Sequence, residues 1–164
     1  MINELATWFI FFCPLLAFII IGMVVWPFIG KKSKVSGYLT IAAILSSTIL
    51  SFWALGSVIQ NGHALEFESH NWLKIQNVDI NFGIMLDGLT TIMLVVVNSV
   101  SLLVQIYSTG YMKHDGGYSR YFTYMSLFTA SMIGLVLASN LIQMFVFWEL
   151  VGASSYLLIG FWFN

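Results

Sequence analysis

Residues 145–163 read FVFWELVGASSYLLIGFWF. Nineteen residues carry a single formal charge, Glu149. A helix needs about 20 mostly apolar residues to cross the hydrocarbon core of a bilayer, so the stretch reads as a membrane span with a carboxylate in its middle. Glu149 lies eight residues past Leu141. At 1.5 Å per residue that is roughly 12 Å into a core about 30 Å thick. Composition points the same way: 59% of the 164 residues are hydrophobic and 8% are charged, against about 25% charged in a soluble domain. Seven acids and six bases do not supply a polar shell for a globule of this size. The net charge of −1 gives no basic surface for nucleic acid. The lone cysteine, Cys13, excludes an internal disulfide.

Working outward, five apolar stretches predict an all-α, polytopic bundle over residues 1–164, with helices at about 8–29, 35–59, 88–112, 121–137 and 141–163. The first is longer than the apolar region of a signal peptide and has the reverse flanks, Glu4 ahead and Lys31, Lys32 and Lys34 behind. It is therefore expected to be a retained helix. Ser46, Ser47, Thr48, Ser51 and Gly56 in the second suit close helix contacts. From Leu73 to Phe82 apolar and polar residues roughly alternate, which predicts a small β-hairpin in the loop after helix two. No repeat or linker divides the chain, so a single bundle is expected.

Five of the six bases fall in the loops after helices one and three: Lys31, Lys32, Lys34, Lys113 and Arg120, with Lys74 alone on the other side. The positive-inside rule places those loops in the cytoplasm and the N-terminus and hairpin outside. Trp8, Trp26, Tyr38, Tyr111, Tyr118 and Trp162 fit interfacial belts.

A charge at the bilayer centre costs at least about 2.5–3.5 kcal/mol. Glu149 is expected to pair with a base, bind a cation, or take up and pass on a proton. Gly152, Ala153 and Tyr156 follow at three, four and seven positions and share its side of the helix, with Tyr156 and Ser155 as extensions of a hydrogen-bonded path. Asn98 and Gln105 share a face of helix three, suited to interhelical hydrogen bonds or a proton path. Asp87 stands where an N-cap belongs and is a weaker proton-carrying candidate. His63 and His70 lack a third ligand for a metal site. No phosphate loop, nucleophile motif or cofactor-binding motif occurs.

WELVGASSYLLIGF at Trp148–Phe161 and GYSRYF at Gly117–Phe122, within a match from about Gly83 to Phe163, resemble the large antiporter-like membrane subunits of respiratory complex I, most of all the distal, subunit 5 type. Subunits of multi-subunit sodium/proton antiporters share the Trp-Glu and Ser-x-Leu-Leu-Ile-Gly elements and are the alternative. The resemblance implies a proton-translocating membrane-arm subunit of NADH:quinone oxidoreductase that carries no cofactor itself. NADH, FMN, iron–sulfur clusters and quinone would lie in partner subunits, and the partners would be the other membrane-arm subunits and the lipid bilayer. It implies that Glu149 pairs with a lysine on helix seven of the full family protein. These five helices hold no such base, so the chain is expected to be part of a longer subunit, in a bacterial plasma membrane or an organellar energy-transducing membrane.

Overall fold

The computed structural model describes residues 2–30, 33–61, 63–67, 70–75 and 78–162, with backbone alone at 66, 70–75 and 78–81. Five helices follow one another: α1 (Glu4–Ile20), α2 (Lys34–Asn61), α3 (Gly88–Tyr111), α4 (Tyr118–Leu137) and α5 (Leu141–Ile159). α1 runs on as a wider π-helical stretch, Ile21–Ile29, and α5 ends in a 3₁₀ turn, Gly160–Trp162.

Local chemistry explains the ends. Asn3 accepts the Ala6 N–H at 3.0 Å and starts α1 four residues ahead of the expected Trp8. Asp87 accepts from Thr90 N–H at 2.6 Å and Asn140 from Gln143 N–H at 2.8 Å. These side chains satisfy donors that a first turn leaves open. The π stretch contains Pro27, which has no N–H to give. It closes with the Gly30 N–H on the Val25 carbonyl at 3.0 Å. Gly30 has φ of 126°, a backbone that favours glycine.

Four of these helical segments are long and apolar enough to cross a membrane: Glu4–Ile29, Lys34–Asn61, Gly88–Tyr111 and Leu141–Trp162. α4 is the exception, and its surroundings give the reason. It packs against α1, α2, α3 and α5, so it is shielded from lipid. Ser119, Thr123, Ser126, Thr129 and Ser131 are all buried along it. Small hydroxyl residues let helices approach closely, and most of these bond within the helix, as Thr123 does to the Ser119 carbonyl at 2.8 Å. α2 uses the same device: Ser47 donates to the Ile10 carbonyl of α1 at 2.8 Å, and Ser36 bonds Ser119 of α4 at 3.0 Å.

The loop after α2 contains the expected hairpin. β2 (His70–Ile75) pairs antiparallel with β3 (Val78–Phe82), and β1 (Leu65–Glu66) pairs with β4 (Met85–Leu86). The loop is tied to the bundle at its base. Phe82 stacks on Trp8 with centroids 5.7 Å apart, and Gly83 N–H donates to Gln143 at 3.3 Å. Beneath lies the main core, where Ile10, Phe11, Leu86, Leu94, Ile133 and Phe147 meet. Tyr118, expected in an interfacial belt, is instead 6% exposed. Its hydroxyl lies over Gly37, where any side chain would collide with it.

Candidate functional site

α5 packs chiefly on α4. Gln143, Phe147 and Ser154 are buried and Val151 and Leu158 half-buried, a stripe at spacings of four, four, three and four that faces the bundle. Phe147 fits over Gly134 of α4, where a Cβ would stand 2.5 Å from its ring. The opposite side is bare. Glu149, Gly152, Ala153 and Tyr156 are all exposed, Tyr156 by 77%. The structure thus brings together the four residues the sequence placed on one side, and turns them away from α1–α4. No hydrogen bond or ion pair reaches Glu149 from the described residues. A Cβ on Gly152 would meet nothing within 4 Å, so a neighbouring backbone can come close beside the carboxylate. A mid-membrane acid on an outward face is costly unless something outside these helices covers it.

The second candidate group lies inside the bundle. Asn98 is fully buried; its Nδ2 donates to Ser51 of α2 at 3.0 Å and to the Leu94 carbonyl at 3.0 Å. The expected interhelical bond is therefore present. Gln105, seven residues on, is equally buried, but neither of its amide atoms has a protein partner. Asn98 Oδ1 and Ser126 Oγ are also unpartnered. Buried polar atoms without partners cost about 1–3 kcal/mol each, so this strip of α3 and α4 is polar beyond what the helix contacts require. Asp87 is separate from both groups and caps α3.

The two sequence motifs meet at the basic end of the bundle. Arg120 donates through Nη2 to the Phe161 carbonyl at 3.1 Å and lies over the Phe161 ring, 4.6 Å from its centroid. Tyr121 packs edge-on to Phe161 at 5.7 Å and bonds Ser108 of α3 at 3.1 Å. A Cβ on Gly117 would stand 2.7 Å from Phe161. The sequence places Arg120 in a cytoplasmic loop and gives no sign of this joint; only the fold brings residues 41 positions apart into contact. His63 is exposed near the end of α2, and the His70 side chain lies outside the described residues. Among the described residues no group of three His, Cys, Asp or Glu side chains gathers.

Known proteins share these features. A family model described as NADH-Ubiquinone oxidoreductase (complex I), chain 5 N-terminus, matches residues 72–122. NAD(P)H-quinone oxidoreductase subunit 5, chloroplastic, of Anthoceros angustus is 46% identical over 159 residues, 96% of this chain and 22% of the relative. Over 96% of its length the chain is similar to the subunit 5 type of membrane subunit. NAD(P)H-quinone oxidoreductase chain 5 of Synechocystis is 40% identical over 160 residues, 96% of this chain and 23% of that protein. The chain thus spans less than a quarter of the length of these subunit 5 relatives. Among solved structures, the Mrp complex from Dietzia sp. DQ12-45-1b holds a chain with a TM-score of 0.67 and 25% identity, covering 92% of this chain and 16% of that one. It supports the all-α membrane bundle.

Proposed function

We propose that the chain forms the first helices of a membrane-arm subunit of an NAD(P)H-quinone oxidoreductase, and that Glu149 couples quinone reduction elsewhere in the complex to proton transfer. The observation that carries this is the outward, mid-span position of Glu149 among Gly152, Ala153 and Tyr156, with no charge partner in α1–α5. A counter-charge supplied from a further helix would favour the ionised form, and its withdrawal would favour proton uptake. One carboxylate then alternates between two states under the control of its neighbour. Tyr156, two turns on, extends the same face, and Asn98 and Gln105 offer a second, weaker polar route. Redox groups belong to partner subunits in this reading, and the other membrane-arm subunits are the partners. The chloroplast and cyanobacterial names of the relatives favour a photosynthetic energy-transducing membrane over the bacterial plasma membrane expected from the resemblance.

A positioned proton carrier contributes about 10²–10⁴-fold to its transfer step. Glu149→Gln keeps shape and hydrogen bonding but does not titrate. It is expected to leave assembly intact, depress proton uptake into vesicles and slow quinone reduction through coupling. Glu149→Asp should be milder. Normal rates of both processes in Glu149→Gln would return Glu149 to a structural role. The fold kinship with the Mrp complex favours one second reading, a sodium/proton exchanger subunit. Proton movement that requires sodium and no quinone would establish it.

A further inference from the structure

At the basic end, on the side of α2 and α3, a cavity of about 300 Å³ is lined by Lys34, Tyr38, Ile41, Thr109, Lys113 and Tyr118. No carboxylate lines it, and neither lysine is ion-paired among the described residues. Asp115, close to Lys113 in sequence, is turned elsewhere: it accepts from Gly117 N–H at 2.6 Å and from Trp162 Nε1 at 3.0 Å. Two like charges that share one concavity repel and favour an anion between them. The phenols point to the same chemistry. Tyr118 is more than nine-tenths buried, and its hydroxyl lies over Gly37 with no hydrogen-bond partner among the described residues. Thr109 is already engaged, donating to the Ile106 carbonyl at 2.7 Å. The free donors are therefore two ammonium groups and the phenols, a set suited to a phosphate or sulfonate oxygen.

The apolar surroundings distinguish a lipid from a free anion. Ile41, at the cavity wall, begins a line on α2 through Leu45, Ile49 and Phe52, at spacings of four, four and three residues. Leu45, Ile49 and Phe52 are 47%, 61% and 56% exposed. On α3, Ile106 lies one turn from Thr109 toward the membrane centre and is 49% exposed. The cavity thus opens onto an uncovered apolar path that leads into the span. Basic pockets between transmembrane helices at the interface bind anionic head groups. We propose that this cavity binds one anionic phospholipid, its phosphate held by Lys34, Lys113 and the Tyr38 and Tyr118 phenols, with an acyl chain along Ile41, Leu45 and Ile49.

The test uses the assembled complex in phosphatidylcholine nanodiscs, with phosphatidylglycerol or phosphatidylcholine carrying a photoactivatable acyl chain as probe. Phosphatidylglycerol should label peptides that contain Ile41–Ile49 in clear preference to phosphatidylcholine. Each surface base contributes about fivefold to anionic lipid binding, so Lys34→Gln/Lys113→Gln should weaken labelling roughly 25-fold. The pair Lys34→Arg/Lys113→Arg keeps the charge and should keep most of the labelling. Lys31→Gln/Lys32→Gln removes the same number of charges from the chain just ahead of α2 and should weaken labelling far less. Equal labelling by the two lipids in the unmodified complex, or an equal loss in the Lys31/Lys32 control, would overturn the proposal. Displacement of the lipid by inorganic phosphate alone would overturn it in favour of a free-anion site.

Discussion

The carboxylate of Asp87 accepts the Thr90 N–H at 2.6 Å and closes the first turn of α3. That backbone bond first, and the Thr90 hydroxyl second, hold the carboxyl below its ordinary value of 3.8, against an opposing effect of burial. A depressed carboxylate stabilises the fold fully above its unfolded value, and the contribution fades as pH falls through the lower folded value. The cap should therefore be unchanged between neutral pH and pH 5 and weaken only below about 3.8. Asp87→Ala should cost about 0.5–2 kcal/mol at neutral pH, seen as roughly 2- to 30-fold faster amide exchange in the peptide from Gly88 to Leu94. Asp87→Asn should keep most of the protection and lose its acid dependence. Unchanged exchange in Asp87→Ala would remove the capping role. Glu149 is the contrasting case. Its depth was legible from its place in an apolar run, because rise per residue is fixed. Its outward direction was not, because a helix face is assigned only by what packs on the other side.

Phe147 and Gly134 set the crossing of α4 and α5, with three ring atoms 2.5–2.7 Å from where a Gly134 Cβ would stand. Added volume in such a contact costs about 1–3 kcal/mol. Gly134→Ala is expected to lower stability by that amount, read as a lower melting midpoint of the solubilised protein. Phe147→Leu shortens the ring side and should recover part of the loss when combined with Gly134→Ala, a positive coupling in the double-mutant cycle. Strict additivity would show that the helices shift instead. The helices themselves were readable because apolar length is a local property, and the strands because alternation is one too. The central place of α4 was not readable. Its hydroxyl residues make it the least membrane-like of the five on its own, and only contact with four other helices makes that composition favourable. The joint of Arg120 with Phe161 was hidden for the same reason: neither residue signals its partner along the chain.

The bundle has two chemically unlike ends. One holds the strand-bearing loop, the Trp8–Phe82–Phe147 aromatic cluster and the caps of α1, α3 and α5. The other holds Lys34, Lys113 and Arg120, the joint of the two motifs and the lysine-lined cavity. α1–α5 run alternately up and down between them, so each connection returns to a fixed side. Lys31, Lys32, Lys34, Lys113 and Arg120 belong to one end by chain order and only Lys74 to the other. Bases are retained on the side where the chain is inserted, because carrying Lys or Arg across the bilayer is expensive. The basic end should therefore face the cytoplasm or its organellar equivalent. His114 and His63 are exposed near the two ends and suit cysteine labelling after Cys13 is replaced. In sealed vesicles of known sidedness, a membrane-impermeant maleimide should modify His114→Cys only from the inner side and His63→Cys only from the outer side. Labelling of both from one side would break the alternating arrangement, and the reverse assignment would invert the orientation while leaving the fold unchanged.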